Sequence, residues 1–444
     1  MSLDVSNICI DEITIESSKQ RIIRAKKHLQ KGTIVLRIPS SKTITSSVTT
    51  LQQLQSSCYP LTNKNYLPIT DTALVLALIS LPSTHPYIQI LPESFDEELP
   101  VNWSHATLSD LLKGSEGILK SISSRSSALQ HTHAHLALHN LLPFGAEDLR
   151  TFVWGHCVLT SRAFRLTSKA GGVSLECFVP VMDLCNSQRP RQCEYGIEEG
   201  ENGEVDVVLR ARREVGEGEE ITYSYGALGG ARTLVDYGFV VETVREPDGS
   251  CNEVVEIEMG GTWVGLRGKG GGGGYTYGGL KGMVEAVGGG GGEGGIWDLL
   301  EEEGGGEGGG EGEEEEEEEE EEDFDIYGEI EDDSGEEGVV EGAVEALGEV
   351  GRLLEEKIRA YGEGREGGGR ELYCRTLQSI EKSILAFYRD AAGEVRKVAM
   401  RIKEGEDVKE ILEGWEARKR GGGAGEVDEE MEDLVKKFVM INFA

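Results

Sequence analysis

Residues that could support chemistry are concentrated between positions 183 and 237. Asp183 and Asn186 directly follow the apolar run FVPVM. Tyr223 and Tyr225 lie further along in ITYSYG, and Tyr237 follows in DYGF. Because side chains alternate along a strand, the two tyrosines of ITYSYG share one face. Such a cluster could line a pocket with hydroxyl and amide groups, although on residue types alone half-buried packing is the commoner role of a strand tyrosine.

The segment HTHAHLALH contains a second candidate cluster. His131, His135 and His139 fall at i, i+4 and i+8, which places them on one face of a helix, and this spacing can bind a metal ion. No carboxylate or cysteine lies among them, and the eight cysteines of the chain form no CxxC pair. A solvated or packed helix face is therefore the favoured interpretation, and no metal site is predicted.

The charge of the chain is unevenly distributed. The net charge is −37 over 444 residues, and residues 1–250 hold 23 Lys+Arg against 29 Asp+Glu, whereas the remainder holds 21 against 52. This balance disfavours direct binding to nucleic acid, which requires clustered Lys and Arg. It suits a basic protein partner. The alternative, that the acidic run only keeps the chain soluble, stays open.

The sequence predicts no export or membrane signal. MSLDVSNICIDE has neither a basic segment nor a long apolar run. The most apolar stretch, Thr72–Leu81, is about half the length needed to span a bilayer. Together with the scattered cysteines, these features predict a protein of the cytoplasm or nucleus with reduced thiols.

Hydrophobic patterning predicts an α+β fold. Short strands are expected over 11–50 and 174–241, with a mainly helical unit at about 71–165 between them, whose first helix Asp71 is expected to cap. Glycine runs and the glutamate run Glu313–Glu322 predict a disordered linker over 265–338. Helical periodicity then predicts a C-terminal lobe over 339–444.

Four ordered motifs resemble the SET domain. They are SRAF at 161–164, FVPVMDLCNS at 178–187, ARREVGEGEEITYSYG at 211–226, and LVDYGF, which ends at 239. Their order is similar to the branch named after the Rubisco large-subunit lysine methyltransferase, and so is PYIQILPESFDEELPVNWS at 86–104. The resemblance covers about residues 10–245. It implies a β-rich SET core with an inserted helical unit, followed by a C-terminal helical lobe at the position of that branch's substrate-binding domain.

The resemblance also implies roles for individual residues. Asn186 and Ser187 would contact the donor S-adenosyl-L-methionine, and Arg21 aligns with the family's donor-binding turn. Tyr225 would be the catalytic residue beside the methyl-transfer channel and would also touch the donor. Tyr223 would either line the same pocket or pack beneath Tyr225. The residues that would line the donor and acceptor pocket are Arg162, Phe164, Asp183 and Tyr237.

Two positions depart from the family pattern. Residues 20–22 read QRI where the family has Gly-x-Gly, and side chains there would crowd the methionine end of the donor. Ser187 replaces the histidine of the family's Asn-His pair, which removes an imidazole hydrogen bond. No cysteine-rich segment follows Tyr237, so the zinc-bound closure of histone-type SET proteins is not expected.

The expected function is methyl transfer from S-adenosyl-L-methionine to a lysine of a histone or non-histone protein, with histidine as the other acceptor in this branch. The alternative from another class is a weak or inactive SET scaffold that serves as an acidic protein-interaction module, since fold does not by itself deliver activity. A purely acidic, chaperone-like protein would leave the ordered motifs of 161–239 unexplained.

Overall fold

The structure is a computed structural model that describes residues 5–15, 18–167, 174–199, 205–241, 251–268, 273–287, 336–361, 368–411 and 429–443. Its strands and helices form an α+β fold, as predicted. The strands are β1 (Ile8–Ile15), β2 (Ser18–Ala25), β3 (Ile34–Pro39), β4 (Ile44–Thr45), β5 (Ala163–Thr167), β6 (Ser174–Phe178), β7 (Asn186–Ser187), β8 (Cys193–Glu199), β9 (Val205–Ala211), β10 (Thr222–Tyr223), β11 (Val254–Met259) and β12 (Thr262–Arg267). The helices are α1 (Val48–Ser56), α2 (Ile69–Ile79), α3 (Pro86–Ile90), α4 (His105–Leu111), α5 (Glu116–Leu138), α6 (Leu149–Arg162), α7 (Gly230–Tyr237), α8 (Gly273–Val287), α9 (Glu336–Ala360), α10 (Arg370–Lys403) and α11 (Glu429–Phe443).

The sheet that positions the candidate site has five strands in the order β3-β9-β8-β10-β7. Its first three strands are antiparallel neighbours, whereas β10 pairs in parallel with both β8 and β7. Thr222 lies opposite Asn186, and Tyr223 lies opposite Ser187. Two motifs that are distant in the chain therefore meet in fixed register at the end of this sheet.

The hairpin of β1 and β2 is tied to the segment that leads into β10. The amide of Ala25 donates to the carbonyl of Glu219 (2.9 Å), and the amide of Ile221 donates to the carbonyl of Ile23 (2.7 Å). β2 also packs against the 3₁₀ turn Met182–Leu184. Residues 20–22, where the family has its glycine turn, therefore lie on a strand that adjoins the candidate site.

Two apolar cores support these strands. The strand core includes the fully buried Leu36 and Leu209, and the helical core includes Leu74 and Phe152. Phe178 of β6 belongs to the helical core, and β6 is the central strand of the three-stranded sheet β4-β6-β5. The inserted helices thus pack directly on a strand that leads into the candidate site, and burial of these side chains fixes the two parts together.

The helical insert begins earlier than predicted. α1 begins at Val48, and α2 begins at Ile69 after Pro68, so Asp71 lies in the first turn of α2 and not at the N-cap position predicted for it. Pro68 supplies a fixed φ that suits a helix start, while an acidic residue in the first turn interacts favourably with the helix dipole. None of the described helices is long and apolar enough to cross a membrane.

Residues after 250 contain more regular structure than the sequence predicted. β12 extends to Arg267 and α8 covers Gly273–Val287, both inside the range where a disordered linker was expected. Leu280 and Met283 of α8 are fully buried, and this burial offsets the low helix propensity of its glycines. The run Glu313–Glu322 lies outside the described residues.

The chain divides into two compact units. One comprises Met1–Ile257, Gly265–Gly272 and Lys357–Leu385, and the other comprises Glu258–Val264, Gly273–Glu356 and Ala386–Ala444. The first unit therefore includes part of α10, which the sequence assigned to a separate lobe. The reason is visible at Gln378, whose Nε2 donates to the carbonyls of Leu111 (3.1 Å) and Lys113 (3.0 Å).

Candidate active site

Tyr225 lies just beyond β10, and two hydrogen bonds attach it to the segment around β7. Its amide donates to Oγ of Ser187 (3.2 Å), and its hydroxyl donates to the carbonyl of Cys185 (2.9 Å). Because the O–H is engaged by a main-chain carbonyl, the phenol oxygen presents its lone pairs as acceptors. Burial raises the pKa of Tyr225, so the hydroxyl is protonated at neutral pH.

Tyr237 stacks on Tyr225, with ring centroids 4.7 Å apart and 24° between the ring planes. It is the last residue of α7, which ends at Gly238 with a φ of +80°. A Cβ at Gly238 would lie 2.8 Å from the carbonyl oxygen of Glu98, so both the backbone angle and the space require glycine. Phe239 then places a third ring 6.1 Å from Tyr237. Together these rings form a half-buried aromatic wall.

Tyr223 and Phe164 form a buried layer next to this wall. Tyr223 is 9% exposed, and its ring centroid lies 5.1 Å from that of Tyr225 and 5.5 Å from that of Phe164. Phe164 also meets Tyr195 edge-on at 5.1 Å. Tyr223 therefore has a packing role in the geometry, and Phe164, predicted to line the pocket, lies in the same buried layer.

Asn186 and Ser187 form β7 and are half-buried. Nδ2 of Asn186 donates to Oε1 of Glu220 (2.7 Å), while Ser187 accepts from the amide of Tyr225. Ser187, at the position of the family's histidine, thus orients the main chain that carries the tyrosine. Glu220 was not predicted as a site residue, although the Gly-Glu-Glu run at 218–220 was its available signal.

Asp183 has a fully buried carboxylate in the 3₁₀ turn Met182–Leu184. Its Oδ2 accepts from the hydroxyl of Tyr87 (2.9 Å) and from Nη1 of Arg162 (3.3 Å), and Nη1 also donates to the carbonyl of Asp183 (3.1 Å). Burial raises the pKa of Asp183, while the charge of Arg162 opposes that rise. Oδ1 of Asp183 and Nε of Arg162 are buried and have no hydrogen-bond partner among the described residues.

Arg21 lies at an exposed position on β2, and its hydrogen bond is made away from Tyr225. Its Nη1 donates to the carbonyl of Ile90 at the end of α3 (2.8 Å). The neighbouring Ile22 is fully buried, at a position where the family pattern has glycine. The structure therefore shows a side chain filling space that a glycine would leave open.

His131 and His135 of α5 share one face with His139, which directly follows the helix, as their spacing predicted. The rings of His135 and His139 are 4.4 Å apart, and Nε2 of His135 lies 3.0 Å from Oγ of Ser57. Nδ1 of His131 lies 3.2 Å from the carbonyl of Asn65. Over the part of the chain that the structure describes, no group of three or more His, Cys, Asp or Glu side chains could hold a metal ion.

Comparisons with known proteins agree with this arrangement. Residues 20–226 match the family model of the SET domain. A comparison with curated protein sequences gives no match. This match includes the motifs between 161 and 226, so this segment resembles a SET domain.

Solved structures place its fold more narrowly. The SET domain of LSMT bound to methyl-lysine and AdoHcy has a TM-score of 0.61 at 15% identity, covering 93% of this chain and 96% of that one. Rubisco LSMT bound to AdoMet has a TM-score of 0.58 at 16% identity, covering 91% and 94%. A third structure, Rubisco LSMT with sinefungin and monomethyllysine, has a TM-score of 0.59 at 15% identity, covering 93% and 96%. The fold is that of the Rubisco large-subunit methyltransferase branch.

Proposed function

We propose that the protein transfers a methyl group from S-adenosyl-L-methionine to a side-chain nitrogen of another protein, with lysine as the acceptor. The observation that supports this most directly is the double attachment of Tyr225 to the Cys185–Ser187 segment, beside the stacked ring of Tyr237. Structures with this fold hold AdoMet, or AdoHcy together with methyl-lysine.

The polar atoms around this tyrosine suit a charged donor. Arg162 and the buried Asp183 place one positive and one negative side chain near this tyrosine, with Nη1 and Oδ2 3.3 Å apart. Asn186 and Ser187 would contact the donor from half-buried positions. The exposed guanidinium of Arg21 would pair with the donor's carboxylate. S-adenosyl-L-methionine supplies a methyl group on a sulfonium, which makes that group open to displacement.

The acceptor amine must release its proton to solvent water before it can attack. A lysine amine has a usual pKa near 10.4, and the protonated form has no lone pair. The half-buried wall of Tyr225, Tyr237 and Phe239 disfavours the ammonium by desolvation. The neutral hydroxyl of Tyr225 can accept an N–H from the amine and hold its lone pair in line with the methyl group, and alignment of this kind supplies much of the rate.

The acceptor is proposed to be a basic protein that is met in the cytoplasm or nucleus. Support comes from the net charge of −37, which would draw a positively charged partner by long-range attraction. A lysine-rich protein surface fits this negative charge, and a lysine side chain is the acceptor proposed to lie against the aromatic wall.

An interaction module without catalytic activity is the second candidate, and Ile22 is the observation that favours it. This side chain is fully buried where the family pattern has glycine, so it occupies space next to the predicted donor position. The acidic chain would then hold a basic partner while no methyl group is transferred.

Calorimetric titration with S-adenosyl-L-methionine separates the two candidates. Saturable binding of one donor per chain, with competition by sinefungin, is the result expected for the methyltransferase. Absence of heat in a folded sample would favour the interaction module. A Tyr225→Phe variant serves as the matched control, because it removes one hydroxyl and should leave donor binding largely intact.

A further inference from the structure

We propose that Tyr87 is a positioning residue for methyl transfer, acting through Asp183 on the turn whose end holds the hydroxyl of Tyr225. This inference rests on the proposed function. It concerns a residue of the helical insert that touches neither of the predicted donor-binding residues of β7 and lies outside the four motifs that define the site.

The contact between Tyr87 and Asp183 joins two buried groups. Tyr87 is 2% exposed, lies on α3, and packs its ring 5.9 Å from that of Phe178. Its hydroxyl donates to Oδ2 of Asp183 at 2.9 Å, and the carboxylate is wholly buried. Burial and the neighbouring carboxylate raise the pKa of Tyr87, so it acts as a neutral donor. Hydrogen bonds to a buried charge are among the stronger ones in proteins.

The turn that carries Asp183 has an unusual backbone. Val181, which precedes it, has φ +74° and ψ −46°, a conformation that β-branched residues rarely adopt. A backbone of this kind persists only where its surroundings hold it in place. The amide of Asp183 donates to the carbonyl of Val179 (3.2 Å), and the amide of Cys185 donates to the carbonyl of Met182 (3.1 Å). The Asp183 side chain adds the clamp that joins this turn to α3 and α6.

The hydrogen bonds of Asp183 are connected to the predicted catalytic tyrosine through the main chain of the turn. The turn ends at Cys185, whose carbonyl accepts the hydroxyl of Tyr225 at 2.9 Å. A shift of the turn would move that carbonyl and rotate the phenol away from its in-line position. Misplacement by a fraction of an ångström is costly when catalysis depends on alignment.

Groups on several neighbouring elements affect the charge state of Asp183. α6 supplies Arg162 and α3 supplies Tyr87, while Tyr225 and the Cys185 thiol also lie within electrostatic range.

The two arginines of β2 have partners of their own. Arg21 donates to the carbonyl of Ile90, and Arg24 pairs with Asp11 at 3.1 Å. The Cys177 thiol interacts with Tyr87, not with the carboxylate directly. Loss of the Tyr87 hydroxyl would therefore leave Arg162 as the single donor to Oδ2 among the described residues, and the carboxyl would bind a proton more readily.

The test compares Tyr87→Phe with Tyr59→Phe. Tyr59 is a matched control because it is 4% exposed and its buried hydroxyl donates to the carbonyl of Leu67 (2.7 Å) inside the helical core. For Tyr87→Phe we expect kcat to fall by about tenfold to a hundredfold with little change in KM for the donor. We also expect the acidic limb of the kcat profile to move to higher pH, because Asp183 must be ionised to hold the turn. Tyr59→Phe should change neither quantity.

An independent measurement uses stability and needs no catalysis. A carboxyl whose folded-state pKa is raised destabilises the fold increasingly as pH rises past its unfolded value. The fall in melting temperature caused by Tyr87→Phe should therefore be larger at about pH 8 than at about pH 5, and this difference should vanish in an Asp183→Asn background. Should Tyr87→Phe fail to fold, 3-fluorotyrosine at position 87 retains the ring and strengthens the donor, and the acidic limb should then move to lower pH.

The outcomes separate this inference from the proposed function. An active wild type whose Tyr87→Phe variant matches Tyr59→Phe in kcat and in pH profile would overturn the role of Tyr87 alone. A folded wild type that binds no donor and transfers no methyl group would overturn the proposed function. A pH-independent stability loss that persists beside Asp183→Asn would reduce Tyr87 to simple packing.

Discussion

The tyrosine cluster around Tyr225 and the histidine face of α5 differ in what holds them. Both are visible in the sequence as polar aromatic residues at regular spacing, and both contain rings within 5 Å of each other, at 4.7 Å for Tyr225 and Tyr237 and 4.4 Å for His135 and His139. The tyrosine hydroxyl is attached to a main-chain carbonyl forty positions earlier in the chain. The exposed His131 lies on α5 and the exposed His139 directly follows its end, with nearby surface groups as neighbours.

This difference shows that regular spacing of polar aromatic residues does not by itself indicate a functional site. Spacing on one helix brings side chains together without any need for chemistry, since a solvated face satisfies them. The tyrosine cluster instead combines segments from α6, β7 and α7 around buried polar atoms that lack protein partners among the described residues. A buried polar group without a partner costs stability, so the contacts that surround these groups must offset that cost.

The largest effect is expected for Tyr225→Phe. Losing the hydroxyl removes the acceptor that orients the amine, and turnover should fall by about tenfold to a thousandfold. Single-turnover methyl transfer measures this directly. Tyr66→Phe beside the histidine face is the matched control and should leave turnover unchanged. Equal turnover in the two variants would show that the Tyr225 hydroxyl contributes no more to methyl transfer than that of Tyr66.

A pH-dependent difference is expected between buried and exposed histidines. His156 is 4% exposed on α6, and burial lowers its pKa to about 3. Above about pH 6.5 neither the folded nor the unfolded state is protonated at this residue. As the pH falls below that value the unfolded state binds a proton first, so the free energy of unfolding decreases towards pH 3.

Replacing His156 by Gln should reduce this decrease by at most about 1.4 kcal/mol per pH unit. Urea unfolding at several pH values measures the slope. His139→Gln, on the exposed face, should leave it unchanged. If both variants keep the slope of the wild type, burial of His156 is not what makes the fold sensitive to acid.

A smaller effect is expected for Arg21, which is proposed to pair with the carboxylate of the donor. Arg21→Ala should weaken S-adenosyl-L-methionine binding by about threefold to tenfold, and the loss should shrink at high salt because the guanidinium is exposed. Arg24→Ala on the same strand is the control, since Arg24 is paired with Asp11. If calorimetry gives the same donor affinity for both variants, Arg21 does not bind the donor.

The smallest effect is expected on the histidine face itself. His139→Gln should change the free energy of unfolding by less than about 0.5 kcal/mol, as surface substitutions usually do. Zn²⁺ added to the wild type should leave the melting temperature unchanged. A Zn²⁺-dependent rise that His139→Gln abolishes would show that the face binds metal after all.

How much the sequence predicted depends on the range of each interaction. The motif order predicted the α+β SET fold, and alternation along ITYSYG predicted that Tyr223 and Tyr225 lie together. The carbonyl of Cys185 could not be predicted, because a main-chain acceptor leaves no trace in residue type. Tyr87 lies 96 residues before Asp183, so only the folded chain shows their contact.

Local composition also predicted less structure than is found. The glycine content of 273–287 predicted disorder, whereas burial of Leu280 and Met283 holds α8 together. Asp71 was predicted as a cap from its residue type, yet Pro68 sets the start of α2. In both cases tertiary packing or proline geometry prevailed over the local preference.

Transfer of an isotopically labelled methyl group from S-adenosyl-L-methionine to proteins of a lysate tests the central claim most directly. Wild-type protein should label basic proteins on nitrogen, and Tyr225→Phe should label them at least tenfold less while binding the donor with similar affinity. Equal labelling by the two proteins, or no labelling by a wild type saturated with donor, would contradict the assignment of the tyrosine cluster as an active site.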